Sequence, residues 1–364
     1  MSLEERRLRR TRRLQLLQSS LADLRDFSRP AVARIYAKPK RAWHEAEKPH
    51  HFRPIYLFDW RDKARQRLIA ASLAPFVDFH PSQRLLQRTA VGRGRSAVLE
   101  EIRSVLPKLG SDTVFIQLDV RSFYSSVEHQ WIEDNLPMQR SIVKAHVHTG
   151  GMMVLPMEER IRARLGDGAL RDLGRRGLPQ GSASSALVGE FVIASVLRGV
   201  TDRLDRPLHY GLRHHLHTYS DNLGVLVEKA QAAAITELLQ EAFASSAAGP
   251  FTLTAAPPVP VTDYFKFLGY WVRLRDGRAE VTIPPDVAAS RLLAITQFVL
   301  DGGPAEFATM ERWIAAFVAD NRHWNGVREW RAEALQLLDD ARAGLCSHSS
   351  YEDHPIRLLA CEGR

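Results

Sequence analysis

The sequence predicts an α+β fold in which short strands end on carboxylates and helices fill the intervals between them. Three observations lead to it. A continuous apolar run, Val114-Phe115-Ile116 through Leu118, reads as a buried strand that stops at Asp119. A second strand pair, His217 to Val227, folds over at Ser220-Asp221-Asn222, a polar turn between Tyr219 and Val225-Leu226-Val227. The remaining segments carry their apolar residues at helical rather than alternating spacing.

Taken in order, residues 2–25 are expected to be helical. Ser2 and Glu5 form a capping box, and Leu14, Leu17, Leu21 and Leu24 recur along one face. Arg6, Arg7, Arg9, Arg10, Arg12 and Arg13 lie on that helix, as a solvated basic face or as a clamp on phosphates. Residues 28–52, with Pro30, Pro39 and Pro49, read as an irregular connector, and Arg53 to Phe58 as an extended run. Asp59 and Asp62 then open a helix running through Leu73. Residues 84–107 bring a second basic segment around Gly92 and Gly94, leading into a helix from about Ser96. After the Asp119 strand, residues 128–173 are helical with a break at Gly150-Gly151. The loop Gly177-Leu178-Pro179-Gln180-Gly181-Ser182 enters a long helix, Ser184 to Asp205, and another helix covers 228–246. Phe265 to Leu274 is expected as one strand, paired across Asp276-Gly277 with Ala279 to Ile283. Pro284-Pro285 marks a boundary, beyond which the chain is helical, with Trp313, Phe317, Trp324 and Trp330 as core or groove residues.

The charge balance narrows the partner. The 364 residues hold 50 Lys+Arg against 42 Asp+Glu, a net charge of +8 in which Arg predominates. Arg favours bidentate phosphate contacts, so a polyanion is the expected partner. Two cysteines, Cys346 and Cys361, supply neither a disulfide framework nor a zinc quartet. With no signal core and no apolar run long enough to cross a bilayer, the expected location is cytoplasmic, away from membranes. His209, His214, His215 and His217 cluster before Asp221; without a nearby Cys they read as a basic surface strand rather than a zinc site.

Three segments carry chemistry when taken together. Asp119, at a strand end, suits a hard cation such as Mg²⁺, and the carbonyl of Val120 offers a further oxygen. Tyr124, five positions on, can sit beneath a nucleotide sugar and exclude a 2′-hydroxyl. Alone, Asp119 reads equally as the cap of the following helix. In the 177–182 loop, Gly181 permits close backbone approach to a base pair or phosphate, and Gln180 presents an amide; alone this is a Pro-Gly turn with a serine cap. Asp221 comes 102 positions after Asp119. Two such carboxylates brought together clamp a pair of divalent ions about 4 Å apart.

In this order the segments resemble the reverse transcriptase family. Asp119 to Val127, with Phe123-Tyr124 as its aromatic pair, is similar to the family's first catalytic block. Gly177 to Ser185, with its Leu-Pro-Gln-Gly core, is similar to the next. Tyr219-Ser220-Asp221-Asn222 stands where the family has Tyr-x-Asp-Asp, and Phe267-Leu268-Gly269-Tyr270 resembles its primer-grip hairpin. Arg53-Pro54-Ile55 with Asp62-Lys63, and Gly92 to Ser96, resemble the fingers of group II intron, retron and defence-associated bacterial enzymes.

The resemblance implies a right-hand polymerase: a basic N-terminal extension over 1–52, fingers over 53–112, a palm over 113–283 and a helical thumb over 284–364. It implies an RNA-directed DNA polymerase that uses Mg²⁺, with Mn²⁺ as the alternative ion. Asp119, Asp221 and Asn222 would form the catalytic group, with Asp119, Val120 and Asp221 as metal ligands. Phe123, Tyr124, Gln180, Gly181, Lys63 and Arg53 would bind the nucleotide. Arg93, Arg95, Ser182, Phe267, Leu268 and Gly269 would touch nucleic acid. The implied partners are dNTPs, a noncoding RNA template and the DNA product, joined by a second defence protein or another copy of the chain; the implied role is anti-phage defence. No integrase, maturase, RNase H or endonuclease segment is expected.

Two departures stand out. Asn222 replaces a carboxylate, and the lysine expected between hairpin and grip has no clear counterpart, Lys266 being a loose substitute. The rival expectations are a template-independent or protein-primed polymerase of the same family, and an RNA-binding scaffold with a decayed site.

Overall fold

Strict alternation decides the first hairpin. In the computed structural model, Ala33, Ile35 and Ala37 point inward while Arg34, Tyr36 and Lys38 are exposed, so the segment between Pro30 and Pro39 is a strand. The structure describes residues 24, 26–40, 52–78, 94–172, 174–204, 216–302 and 306–346. All but Leu24 of the helix expected over residues 2–25, the arginines from Arg84 to Arg93, and His209, His214, His215 and Cys361 lie outside the described residues.

In chain order the elements are β1 (Val32–Pro39), β2 (Phe52–Phe58), α1 (Trp60–Asp78), α2 (Gly94–Val105), β3 (Thr113–Val120) and the short helices α3 (Phe123–Ser126), α4 (His129–Asn135) and α5 (Arg140–His146). There follow β4 (Met153–Val154), α6 (Glu159–Asp172), α7 (Ser185–Leu204), β5 (Leu216–Tyr219), β6 (Asn222–Glu228), α8 (Ala232–Ala244), β7 (Leu253–Ala255) and β8 (Val259–Pro260). The chain ends with β9 (Phe265–Phe267), β10 (Tyr270–Arg275), β11 (Arg278–Thr282), α9 (Pro285–Gly302), α10 (Phe307–Asp320) and α11 (Val327–Cys346). Antiparallel sheets mixed with helices make the α+β class that the sequence predicts. Among the described residues no helix is long and apolar enough to cross a membrane.

The chain divides into two units, one from residues 1–94 and 116–257, the other from 95–115 and 258–364. In the first, β1 and β2 pair antiparallel from Ala33↔Phe58 to Pro39↔Phe52, and β4 adds to β1 in parallel. Expecting an irregular connector over 28–52 is therefore wrong for Val32–Pro39. Pro30 precedes the strand and Pro39 is its last residue, so neither interrupts it, and Arg34 and Lys38 occupy its outer face. Asp59 caps α1 by accepting the Asp62 N–H at 2.8 Å. Asp62 is itself buried, paired with Arg65 at 3.1 Å and accepting the Val32 N–H at 2.9 Å, so it ties α1 to β1. The other sheet runs β5-β6-β3-β7, with α7 packed on α1 and α8. His217, on β5, is fully buried opposite Gly224. Expecting a surface strand there is incorrect, because the sheet turns that face of β5 into the core.

In the second unit, the aromatic rings of Phe115 and Phe265 stack at 4.2 Å, with Phe267 edge-on at 5.3 Å. The strand expected over Phe265 to Leu274 is two strands. Leu268 and Gly269 take φ values of 52° and 88°, which turns the chain in two residues and pairs Phe267 with Tyr270. Asp276-Gly277 makes the next turn, as expected. In the C-terminal helices, Trp330 lies 4.4 Å from Phe317 and donates its Nε1–H to the Ala288 carbonyl at 3.2 Å, and Trp313 and Trp324 pack around it. Trp324 and Trp330 are core residues, with Trp313 and Phe317 half-buried beside them.

Candidate functional site

Strand register brings Asp119 and Asp221 together. Leu118 and Val120 point into the core, so Asp119 between them faces outward. The backbone N–H of Val120 donates to the Asp221 carbonyl at 3.1 Å, which sets the tip of the β5–β6 hairpin beside the end of β3. On the other side of β3, Asp119 pairs with Thr254 of β7. Only Ser220 and Asp221 separate Tyr219 from its partner Asn222, and Ser220 takes φ 55°, as the first residue of such a turn requires.

The electrostatics follow from this placement. Burial, reinforced by the charge of Asp221, holds the Asp119 carboxyl above the usual carboxylate range. Burial also raises Asp221, opposed by its own backbone N–H, the Ser220 side chain and the charge of Arg53 on β2. Asn222 donates its amide N–H to Asp221 Oδ1 at 3.2 Å, so the residue replacing a carboxylate acts as a hydrogen-bond donor to its neighbour. Among the described residues no group of three or more His, Cys, Asp or Glu side chains is placed to hold a metal. Two neighbouring carboxylates, each held above the usual range, nonetheless fit a hard divalent ion, which commonly takes one or two carboxylates and completes its shell with phosphate oxygens and water. Asp119 and Asp221 are the residues able to hold it.

The other motifs assemble around the same place. The Tyr124 hydroxyl lies 3.1 Å from Ser220 Oγ, and burial raises its pKa, so it keeps its proton. Phe123 is 1% exposed; it packs edge-on against Tyr124 at 5.4 Å and lies tilted against Phe251 at 5.5 Å. It is a support behind Tyr124 and is closed to a nucleotide, so its expected place in the binding group is corrected. The Leu178 N–H donates to the Tyr124 carbonyl at 2.6 Å, fastening the 177–182 loop to the Asp119 segment. Gln180 gives its carbonyl to the Tyr56 N–H at 2.7 Å, and Gln66 of α1 accepts the Ala183 N–H at 3.2 Å.

Gly181 has a definite steric reason. At φ 107°, a Cβ on it would stand 2.5 Å from the Tyr56 carbonyl oxygen. The backbone approached so closely is β2 of this chain, where the sequence suggested a base pair or phosphate. Ser182 is largely buried, its hydroxyl 3.0 Å from that of Ser184, which makes it part of the loop's own bonding and not a surface contact as expected. Lys63 stands exposed on the first turn of α1.

The second unit holds the remaining expected residues. Phe267 is 1% exposed and belongs to its core, which corrects the expectation of a nucleic-acid contact; Leu268 is half-buried and Gly269 exposed. Arg95 reaches the same turn, with Nη1 3.8 Å from the position of a Cβ on Gly269. Lys266 lies over the Trp271 ring at 5.5 Å. Arg93 lies outside the described residues. Sequence reasoning missed Tyr56, Gln66 and the bonding of Ser220. The first two act through contacts across long separations, whereas Ser220 is legible as a non-glycine residue in a two-residue turn.

Residues 38–272 match the family described as "Reverse transcriptase (RNA-dependent DNA polymerase)". Among solved structures, telomerase from Candida albicans in complex with a TWJ fragment of telomeric RNA is similar over 96% of this chain and 68% of that chain, with a TM-score of 0.47 and 11% identity. No curated protein sequence matches. Because the matched span covers more than half of the chain and contains both carboxylates, Tyr124 and the Leu178–Gly181 loop, the chain belongs to the reverse transcriptase family, the RNA-directed DNA polymerases, and is a nucleotidyltransferase.

Proposed function

We propose that this chain copies RNA into DNA at the Asp119–Asp221 site. The observation that carries the reading is the Val120 N–H to Asp221 carbonyl bond, which sets the exposed Asp119 and the half-buried Asp221 at adjoining strand ends, with no salt bridge to either among the described residues. Placing like charges together costs stability unless a cation joins them. Asp119 and Asp221 hold the divalent ions, with the Val120 carbonyl as a further oxygen. When bound, Mg²⁺, or Mn²⁺ in its place, lowers the charge on the triphosphate and favours the 3′-oxygen as nucleophile. Asn222 orients Asp221 through its amide. Tyr124, backed by Phe123, presents its ring beneath the sugar and disfavours a 2′-hydroxyl. Gln180 and Gly181 contact the incoming pair, and Arg53 faces the triphosphate, supported by the reach of its charge to Asp221. Lys63, Arg93, Arg95 and the Leu268-Gly269 turn serve template or primer.

The same reading assigns fingers to 53–112, palm to 113–283 and thumb to 284–364. A template supplied by an associated noncoding RNA, and a role in anti-phage defence, rest on the resemblance of the Arg53–Ile55, Asp62-Lys63 and Gly92–Ser96 segments to retron and defence-associated enzymes.

The test is incorporation of labelled dNTPs by the purified protein with its copurifying RNA and Mg²⁺, followed by sequencing of the product. A product complementary to that RNA, lost in Asp221→Ala, is expected. Product that persists after RNase treatment and is unrelated to the RNA favours untemplated synthesis. RNA binding without any incorporation favours a decayed scaffold.

A further inference from the structure

We propose that His129 is a positioning residue for nucleotide binding: its Nε2–H holds the Gly177 carbonyl at the root of the 177–182 loop, and His148 with Glu133 keeps its ring in place. The inference rests on the reading above that Gln180, three residues further along, contacts the incoming nucleotide.

Proton counting fixes the direction of the bonds. His129 Nε2 lies 3.1 Å from the Gly177 carbonyl oxygen and 3.2 Å from Thr149 Oγ1. A carbonyl oxygen only accepts. The single hydroxyl proton of Thr149 is directed to the carbonyls of Arg176 and Gly177, each at 3.2 Å, so its oxygen faces His129 as an acceptor too. Two acceptors around one ring nitrogen place the His129 proton on Nε2. The same count fixes the next ring. His148 Nδ1 accepts the Gly150 N–H at 3.2 Å, so its proton sits on Nε2 and goes to Glu133 Oε1 at 2.9 Å.

Packing makes the arrangement specific. His129 and Glu133 stand four residues apart on α4, and both reach the 148–150 turn. His148 stacks on the His129 ring at 4.0 Å, and Arg140 of α5 holds the other oxygen of Glu133 at 2.7 Å. Both imidazoles are buried, and a Cβ on Gly150 would stand 2.6 Å from His129 Nδ1, so the ring is seated against the turn. Gly177 is where this cluster meets the loop. It takes φ 112° and lies in neither helix nor strand, so no regular element sets the direction of its carbonyl. The bonds set it: His129 Nε2 and the Thr149 N–H, the latter at 3.1 Å, converge on the oxygen, while the Gly177 N–H goes to Val127 at 2.7 Å. A histidine pair serving the core alone has no need to spend its one outward proton on the first peptide of the loop.

The test compares full-length wild type, His129→Leu, His129→Gln and Gln180→Ala in dNTP incorporation on the copurifying RNA, with KM and kcat read separately. His129→Leu is expected to raise KM for dNTP about two- to tenfold, the range of one hydrogen bond, and to change kcat by less than about twofold. His129→Gln keeps an N–H that reaches the same carbonyl and should return KM to within about twofold of wild type. A general loss of packing would instead lower the melting temperature of both variants without separating KM from kcat. An unchanged KM in a normally melting His129→Leu overturns the proposal, as does a rise that His129→Gln fails to reverse. If His129→Leu does not fold, long-range ¹H–¹⁵N correlations on the wild type at neutral pH decide. A proton on Nε2 of His129 is expected, and a proton on Nδ1 overturns the link. An unaltered KM in Gln180→Ala would instead overturn the reading of the loop, which separates the two failures.

Discussion

Replacing Gly181 with alanine tests whether the 177–182 loop is held in place by β2. The new methyl carbon would meet the Tyr56 carbonyl oxygen at 2.5 Å and Ile55 Cγ2 at 3.3 Å. The nearer obstacle is backbone and cannot rotate away. Position 181 also has φ 107°, where a side chain adds about 1–3 kcal/mol of strain. Relief by withdrawal of the loop breaks the 2.7 Å bond from the Tyr56 N–H to the Gln180 carbonyl, a further ~0.5–1.5 kcal/mol. The expected loss is about 2–4 kcal/mol, a large share of the ~5–15 kcal/mol that keeps an ordinary domain folded. Urea unfolding followed by circular dichroism measures it, and nucleotide incorporation on the same samples should show a raised KM for dNTP as Gln180 moves. Gly174→Ala is the control, since nothing lies within 4 Å of its Cβ position; its change should stay within about 0.5 kcal/mol. If Gly181→Ala also stays within that margin, with KM unaltered, the contact with β2 does not hold the loop.

Four further outcomes are expected. Asp221→Asn should raise the metal-free melting temperature at neutral pH by about 1–3 °C, because ionising a carboxyl whose folded pKa is raised costs stability above its unfolded pKa; calorimetry without divalent ions checks it, and a fall would contradict it. Asn222→Asp replaces a donor with a second charge, so it should lower that temperature, and millimolar Mg²⁺ should reverse the loss. His129, stacked on His148 at 4.0 Å, is depressed to about 4 by burial and by its neighbour. The unfolded chain therefore binds the extra proton between about pH 6.5 and 4, and stability should fall across that window as pH drops, less steeply in His129→Gln. Trp330→Ala should cost about 3–5 kcal/mol in thermal unfolding, since it empties the centre of the Phe317, Trp313 and Trp324 cluster.

The parts of the site carried by short stretches of sequence were legible in advance. The apolar run before Asp119, the two-residue turn before Asn222 and the loop before α7 each announce themselves within about ten residues. What escaped was of two kinds. β1 was hidden because Pro30, Pro39 and Lys38 suggested a loop, although the alternation of Ala33, Ile35 and Ala37 was available to be read. Phe265 to Leu274 looked like one strand because Leu268 at positive φ is an unusual way to make a turn. The second kind depends on distant partners: the Tyr56 carbonyl that explains Gly181, the Gln66 amide under Ala183, and the burial that removes Phe123, Ser182 and Phe267 from the surface. No local pattern encodes such contacts, because they exist only once the strands and helices have packed.

The most direct test of the account is incorporation of labelled dNTPs on the copurifying RNA, with Mg²⁺ varied, in wild type, Asp119→Asn and Asp221→Asn. The account predicts Mg²⁺-dependent synthesis in wild type and its loss in both variants, each still folded and still bound to RNA. Synthesis that persists in either folded variant would contradict it.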